Sequence, residues 1–245
     1  MLLQPVVLIV MDGWGCAPPG PGNAIALAQT PNMARFYRQF PSALLRAAGE
    51  DVGLPPGQMG NSEVGHLNLG AGRIVHQDYS RINLAIDQGE FFSNPVLNRA
   101  FARARGRSLH LLGLVSDGGV HSHSGHIYAL LKLAARHDLK EVFLHAFLDG
   151  RDVPPTSAGN YLAAVEEKMR ALGVGAIATI SGRYFAMDRD HRWDRTALAY
   201  QALVSGEGKK ARSSAEAISL AYQRGETDEF VKPTVLVAED GQPRA

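Results

Sequence analysis

The chain has 245 residues, of which 45% are hydrophobic and 20% charged, as in an ordinary soluble protein of one or two domains. Its formal net charge of +1 argues against nucleic-acid binding, which normally requires a basic stripe. The single cysteine, Cys16, excludes an internal disulfide framework, and no apolar run approaches the roughly 20 residues of a membrane span. Because the first residues lack the features of a signal peptide, we expect a cytoplasmic protein.

Short apolar runs alternate with helical patterns along most of the chain. This alternation predicts an α/β fold in which right-handed crossovers join the strands of a parallel sheet. The predicted strands are residues 6–10, 109–115, 142–148 and 174–180. Predicted helices contain the apolar stripes at residues 127–134, 162–172, 196–204 and 215–222. We place a domain boundary after residue 76.

The N-terminal part carries cap and turn signals of its own. Asn23 is a candidate cap of an alanine-rich helix, and Pro31 stands where proline is favoured at the start of a second helix. Residues 49–60 are rich in Gly and Pro, which predicts a long loop without regular structure. Loops of that length inside compact domains are usually functional or disordered.

Polar motifs follow each of the four predicted strands. They are MDGWG at residues 11–15, SDGGVHSH at 116–123, DGRDVPP at 149–155, and SGRY at 181–184 with MDR at 187–189. Loops that leave the carboxyl ends of parallel strands share one edge of the sheet, where ligands bind. A carboxylate, histidines and arginines would meet at that edge, and such a set suits an anionic, phosphorylated small molecule.

The segment GQMGNSEVGH at residues 57–66 places a serine between a glycine-containing loop and a predicted helix. At the N-terminus of that helix, Ser62 would lie near backbone N–H groups that favour an anionic oxygen or a phosphate. A simple N-cap at Ser62 or Asn61, with Glu63 in the first turn, is the alternative that the residue types alone favour. The segment matches neither a Walker A loop nor a nucleophile elbow.

Two further groups are candidate ligands. Asp12 at a strand exit would suit a hard divalent ion, although Asp-Gly is also a common turn dipeptide, which is the favoured interpretation of this residue alone. His121, His123 and His126 have a spacing that would allow zinc binding. Phosphate or carboxylate binding, and a polar loop with a histidine cap, remain open as alternatives for the three histidines.

Arginines at the strand exits are the remaining candidates. Arg151, Arg183 and Arg189 each follow a predicted strand closely, where a guanidinium can bind phosphate or carboxylate through two hydrogen bonds. Because three such arginines would lie on one edge of the sheet, we favour a role in ligand binding over a structural role for them. Arg192 and Arg195 lie further along and are predicted to be solvated helix residues. Asp152 is a candidate general acid–base. Its alternative role is only to form an ion pair with Arg151.

Taken together, the motifs resemble the cofactor-independent (2,3-bisphosphoglycerate-independent) phosphoglycerate mutase family of the alkaline phosphatase superfamily. The resemblance rests on DGWG at residues 12–15, MGNSEVGH at 59–66, SDGGVHSH at 116–123, GRDVPP at 150–155 and the motifs within 181–189. It implies a partial alkaline-phosphatase-like segment followed by a parallel-sheet α/β phosphotransferase domain. Residues 1–76 would be the N-terminal segment of a split metal-binding domain, and residues 77–245 the inserted, substrate-binding domain.

The resemblance also implies a reaction, the interconversion of 3-phosphoglycerate and 2-phosphoglycerate in glycolysis and gluconeogenesis through a phosphoserine intermediate. Ser62 would be the nucleophile, and Asp12 and Ser62 would help to hold one of two divalent ions, usually manganese, with magnesium as the alternative. No 2,3-bisphosphoglycerate would be needed. Asp152 would move a proton between the glycerate hydroxyls. The implied substrate-binding residues are His121, Arg151, Asp152, Arg183 and Arg189.

In this family a second half of the chain completes both metal sites and supplies a lysine and further substrate arginines. Because the sequence ends at Arg244 and Ala245 before such residues, we expect an N-terminal portion that has no useful mutase turnover by itself. Complete members are typically monomers, and we expect neither nucleic acid nor a membrane as a partner. The alternatives are a non-catalytic binder of phosphorylated acids, and a related phosphatase or phosphomutase of the superfamily.

Overall fold

The computed structural model describes residues 5–245, and the chain divides into two compact units, Met1–Gln77 and Asp78–Ala245. In the described range, no helix is both long and apolar enough to cross a membrane.

The second unit is built on a mixed sheet with the strand order β1-β2-β3-β5-β4. Its strands are β1 Leu109–Leu114, β2 Val142–Leu148, β3 Ala176–Gly182, β4 Lys209–Ala211 and β5 Thr234–Leu236. Strands β1, β2 and β3 are parallel, whereas β5 runs antiparallel to β3 and parallel to β4. The predicted α/β fold is therefore confirmed, with a sheet that is parallel as predicted except where β5 pairs with β3.

Helices cover this sheet and fill the connections between its strands. They are α4 Asp78–Asp87, α5 Pro95–Arg103, α6 Ser124–Arg136, α7 Ala158–Leu172, α8 Arg183–Ala186, α9 Trp193–Val204 and α10 Ser214–Gln223. Leu144 and Leu148 of β2 are fully buried against Leu131 of α6 and Leu162 of α7, all within one apolar cluster. Packing of this kind anchors the strands from which the polar loops emerge.

The first unit contains three helices in its described part, α1 Ala24–Leu27, α2 Pro31–Gln39 and α3 Ser62–Ala71. Asn23 caps α1, because its side chain accepts a hydrogen bond from the Ala26 amide at 3.0 Å, and α2 begins at Pro31 as predicted. The predicted structureless loop at 49–60 is wrong: it includes a 3₁₀ turn, Gly49–Val52, whose valine is buried with Leu54.

The predicted strand at residues 6–10 is also wrong. These residues lie outside any helix or strand, and Val6 is 94% exposed. A buried parallel strand needs neighbouring strands to accept its hydrogen bonds. Within residues 5–77 the structure contains no strand that could pair with this apolar run. Asp12 therefore lies in a turn, which the hydrogen bond from the Trp14 amide to the Met11 carbonyl closes at 3.0 Å, and not at the end of a strand.

Candidate functional site

A crevice of about 210 Å³ lies in the second unit, where the loops after β1, β2 and β3 meet. This is the carboxyl edge of the three parallel strands, the edge at which α/β sheets bind ligands. Its lining residues are His121, Arg151, Asp152, Arg183, Tyr184, Met187, Asp188, Arg189, Asp190, Arg195 and Glu229. The structure thus brings together all five residues for which the sequence predicts substrate binding, and their roles stay predictions.

The loop after β2 is held by Asp149, a residue to which the sequence analysis assigned no role. Its carboxylate is buried and accepts hydrogen bonds from the Ser116 hydroxyl at 2.6 Å, from Arg183 at 2.8 Å and from the amides of Arg151 and Asp152. Burial alone would raise the pKa of Asp149, but the hydrogen bonds from Ser116, the Asp152 amide and Arg183 hold this pKa below its usual value. Its position between a buried strand and a glycine was the signal in the sequence.

Arg183 lies between two carboxylates at the floor of the crevice. One nitrogen, Nη1, donates to Asp149 Oδ1 at 2.8 Å and to Asp152 Oδ2 at 2.7 Å. Burial would lower the pKa of Arg183, but the hydrogen bonds that it donates to Asp152 and Asp149 raise this pKa, so the guanidinium stays charged. Arg183 therefore fixes the carboxylate of Asp152, the candidate proton carrier, at the crevice.

Two other arginines of the crevice make fewer contacts with protein side chains than Arg183 does. Arg151 lies 3.7 Å from Glu229 across the crevice, and its side chain is 57% exposed. Arg189 is exposed and makes no ion pair or side-chain hydrogen bond within residues 5–245. Exposed guanidinium groups of this kind are available for the phosphate or carboxylate of a ligand. No sequence pattern pointed to Glu229.

The three histidines have different surroundings. His121 is exposed and lines the crevice, whereas the His123 side chain caps α6 by accepting a hydrogen bond from the Gly125 amide at 3.0 Å. His126 lies 2.7 Å from Asn83 Oδ1, and burial, together with His123, lowers its pKa. Within residues 5–245 no three His, Cys, Asp or Glu side chains form a group that could hold a metal ion, so the zinc interpretation gains no support.

In the first unit, Ser62 is the first residue of α3. Asn61 caps this helix by accepting a hydrogen bond from the Val64 amide at 3.0 Å, so the Ser62 hydroxyl is free for other partners. Its Oγ donates to Asp12 Oδ2 at 2.6 Å and lies 3.2 Å from His66 Nδ1. The two oxygens suit a hard divalent cation as part of a larger set of ligands.

The prediction for Arg195 is wrong, whereas Arg192 is exposed as expected. The Arg195 side chain is only 16% exposed and lines the crevice, while that of Arg192 is 54% exposed and pairs with Asp194. The cause is Asp188, which lies buried beside Arg195.

Fold and crevice together define the class of this protein. It is an α/β protein with a crevice at the carboxyl edge of its sheet that is lined by four arginines and four carboxylates, and a separate serine–carboxylate pair at the start of a helix.

Comparisons with known proteins then give the family. Residues 82–245 match the family model described as BPG-independent PGAM N-terminus. The 2,3-bisphosphoglycerate-independent phosphoglycerate mutase of Moorella thermoacetica is 59% identical over 244 residues, 99% of this chain and 47% of that protein. Its counterpart in Desulforudis audaxviator is 58% identical over 98% of this chain and 48% of that protein. The chain therefore belongs to the BPG-independent phosphoglycerate mutase family and matches its N-terminal part.

A solved structure agrees with this assignment. A crystal structure of Leishmania mexicana phosphoglycerate mutase at low cobalt concentration has a TM-score of 0.72 with this chain at 37% identity. The match covers 96% of this chain and 45% of that one. The chain thus spans about half the length of the curated relatives and of the solved structure that it matches.

Proposed function

We propose that this chain carries the phosphate-accepting serine and the glycerate-binding crevice of a cofactor-independent phosphoglycerate mutase. The proposed reaction interconverts 3-phosphoglycerate and 2-phosphoglycerate without 2,3-bisphosphoglycerate. The observation that carries the proposal is the 2.6 Å hydrogen bond from Ser62 Oγ to Asp12 at the first turn of α3, in a chain of this family.

Ser62 is suited to nucleophilic attack on phosphorus. Asp12 orients the hydroxyl and accepts its hydrogen bond, while the N-terminal turn of α3 favours negative charge on the nearby oxygen atoms. A divalent cation bound by Asp12 and Ser62, which we propose to be manganese or magnesium, would lower the pKa of the hydroxyl and neutralise phosphate charge. In the forward direction the Ser62 hydroxyl gives its proton to Asp12, and its oxygen bonds to phosphorus as the bond from phosphorus to the 3-oxygen of the glycerate breaks.

The crevice of the second unit is suited to the glycerate. Arg151, Arg183 and Arg189 supply positive charge for its carboxylate and for the phosphoryl group, and His121 supplies a further polar contact. Asp152 is held by Arg183 at 2.7 Å and is the proposed proton carrier, which protonates the 3-oxygen and later deprotonates the 2-hydroxyl. Phosphoryl transfer depends chiefly on such positioning and charge neutralisation.

The proposed nucleophile is tested in a chimera, because the relatives are about twice as long as this chain. Residues 1–245 replace the matching half of the Moorella thermoacetica mutase, and conversion of 3- to 2-phosphoglycerate is measured with manganese. We expect Ser62→Ala to reduce turnover by at least about a thousandfold, as removal of an activated nucleophile does. Mass spectrometry should find one phosphoryl group on Ser62 of the unsubstituted chimera only.

The exposed serine of α10 provides the matched control. Ser219→Ala should leave turnover unchanged, and thermal unfolding should show that both variants fold. A Ser62→Ala chimera that folds and still converts the two esters at near the normal rate would refute the proposed nucleophile.

Non-catalytic binding of phosphorylated acids remains a second candidate, because the second unit supplies every residue of the crevice. Calorimetric titration of 3-phosphoglycerate into the 245-residue chain, with and without manganese, separates the two functions. Affinity that is independent of manganese, in a chain whose chimera shows no conversion, would favour the binder.

A further inference from the structure

The segment between α8 and α9, residues 187–192, carries Arg189 to the crevice, and we call it the Arg189 loop. It contains His191 at φ +56°, a left-handed conformation that is unfavourable for a residue with a side chain. Since the Arg189 side chain has no hydrogen bond or ion pair of its own within residues 5–245, the loop must determine where its guanidinium lies.

The buried carboxylate of Asp188 connects different parts of this loop. Its side chain is 2% exposed, and Oδ2 accepts a hydrogen bond from the Arg192 amide at 2.8 Å. The other oxygen, Oδ1, lies 3.3 Å from Arg195 Nη1, in the first turn of α9. One carboxylate thus connects the beginning of the loop, its end and the following helix.

Arg195 extends the connection to α8. Its guanidinium carbon lies 3.9 Å from the centre of the Tyr184 ring, and Tyr184 packs in turn against Phe230. Nη1 also lies 3.5 Å from Asp190 in the loop. Stacking on an aromatic face and pairing with a buried carboxylate hold an arginine firmly.

The hydrogen bonding of Arg195 is incomplete, however. Its Nε is buried and has no partner among the described residues. A buried donor without a partner costs free energy of folding. Hydrogen bonding of the guanidinium therefore does not by itself determine the position of the Arg195 side chain. The position does keep the guanidinium between Tyr184 and Asp188, at the base of the Arg189 loop.

We propose that Arg195 is a positioning residue, which fixes the Arg189 loop so that the Arg189 guanidinium meets the anionic group of the ligand. This inference rests on the proposed function, because it concerns the ligand of the same crevice. It predicts that removal of Arg195 weakens binding through Arg189.

A double-mutant cycle on the 245-residue chain tests this coupling. Calorimetry measures the affinity of the wild type, Arg195→Met, Arg189→Gln and the double variant for 3-phosphoglycerate without metal. We expect each single substitution to weaken binding about tenfold, and the double variant to bind about as weakly as Arg189→Gln alone. Additive effects, or an Arg189→Gln variant that binds as the wild type does, would overturn the proposal.

Amide hydrogen exchange without ligand gives a second, independent measurement. The amides of residues 188–192 should exchange faster in Arg195→Met than in the wild type, whereas unchanged exchange would contradict the proposal. Arg192→Met is the matched control, because the Arg192 side chain pairs with Asp194 and not with Asp188. This variant should affect neither measurement.

If Arg195→Met fails to fold, Arg195→Lys replaces it, since lysine keeps the charge but lacks the planar fork. A wild type that binds no 3-phosphoglycerate would refute the proposed ligand, and the exchange comparison would still decide the role of Arg195.

Discussion

The carboxylate of Asp149 illustrates how single side chains determine the geometry of the crevice. It receives hydrogen bonds from a hydroxyl, a guanidinium and two amides, so both of its oxygens are satisfied although it is buried. Two consecutive loop residues, Arg151 and Asp152, are oriented by these bonds. The loop after β2 is thereby bonded to the residues that follow β1 and to Arg183 at the end of β3.

We expect Asp149→Asn to destabilise the second unit by about 3 kcal/mol, because it removes one partner of a buried ion pair. Urea unfolding of the 245-residue chain at neutral pH measures the change. Asp152→Asn is the matched control, because its carboxylate is 20% exposed and keeps contact with water, and it should cost less than half as much. Equal losses for the two variants would contradict this account of Asp149.

At the scale of elements, side chains of β1, β2 and β3 meet around one buried histidine. His145 of β2 is 3% exposed, and its Nε2 lies 2.9 Å from His110 Nδ1 of β1. Its other nitrogen lies 2.9 Å from the Thr179 hydroxyl of β3. Burial, and then the neighbouring His110, lower the pKa of His145 from 6.5 to about 4.

This pKa shift predicts a pH dependence of stability. The unfolded chain takes up a proton at His145 near pH 6.5, whereas the folded chain does so only near pH 4. The free energy of unfolding should therefore be highest above pH 6.5 and fall between pH 6.5 and 4, by at most about 3 kcal/mol from this residue. Urea unfolding at pH 7.5, 6 and 5 measures the fall.

His145→Gln is the variant that isolates this contribution, because glutamine does not titrate. The fall of stability with pH should be shallower in His145→Gln than in the wild type. Parallel pH profiles of the two proteins would show that His145 does not account for the loss.

The same elements show what the sequence could and could not predict. Strand β2 has the predicted bounds of 142–148, since a long apolar run marked it, and β3 begins two residues later than predicted. Strands β4 and β5 were missed, because three residues each are too few to show a period. Residues 6–10 have the composition of a strand, but pairing depends on neighbours that local composition does not reveal.

The candidate site was predictable to a similar extent. Conspicuous motifs at strand exits located all five predicted crevice residues. Glu229 and Arg195 were not found as members of the crevice, because tertiary contacts bring them there. Arg195 in particular has the local sequence of a solvated helix, and its burial follows from Asp188 and Tyr184.

At the scale of the whole molecule, the two units differ in how much apolar surface they bury. The cluster around β1–β3 contains fully buried side chains such as Leu144 and Ile180, whereas Val6, Leu8 and Ile9 of the first unit are at least 75% exposed. Burial of apolar side chains is the main source of folding free energy. The free energy of local unfolding should therefore be larger for the strands of the second unit than for residues 6–10.

Hydrogen exchange followed by mass spectrometry measures this difference. Amides of β2 should exchange only through global unfolding, because this strand is largely buried and is paired with β1 on one side and β3 on the other. Amides of residues 6–10 donate no backbone hydrogen bond within the described range and should exchange within seconds. Slow exchange of residues 6–10, comparable to that of β2, would contradict the expectation.

The reversed direction of β5 has a consequence for how this fold can change. The loops that leave β1, β2 and β3, which we call the outgoing loops, reach the ligand edge. Glu229 also lies at this edge, but in the segment that leads into β5, where the Gly182 amide donates a hydrogen bond to the Val231 carbonyl. A different side chain at position 229 would therefore change the wall that faces Arg151 while the outgoing loops keep their lengths and registers. The backbone of this segment is fixed by its buried neighbour Asp228, which accepts hydrogen bonds from the Ser157 and Ala158 amides and from the Tyr222 hydroxyl, so scaffold and ligand wall are encoded by adjacent residues of one segment.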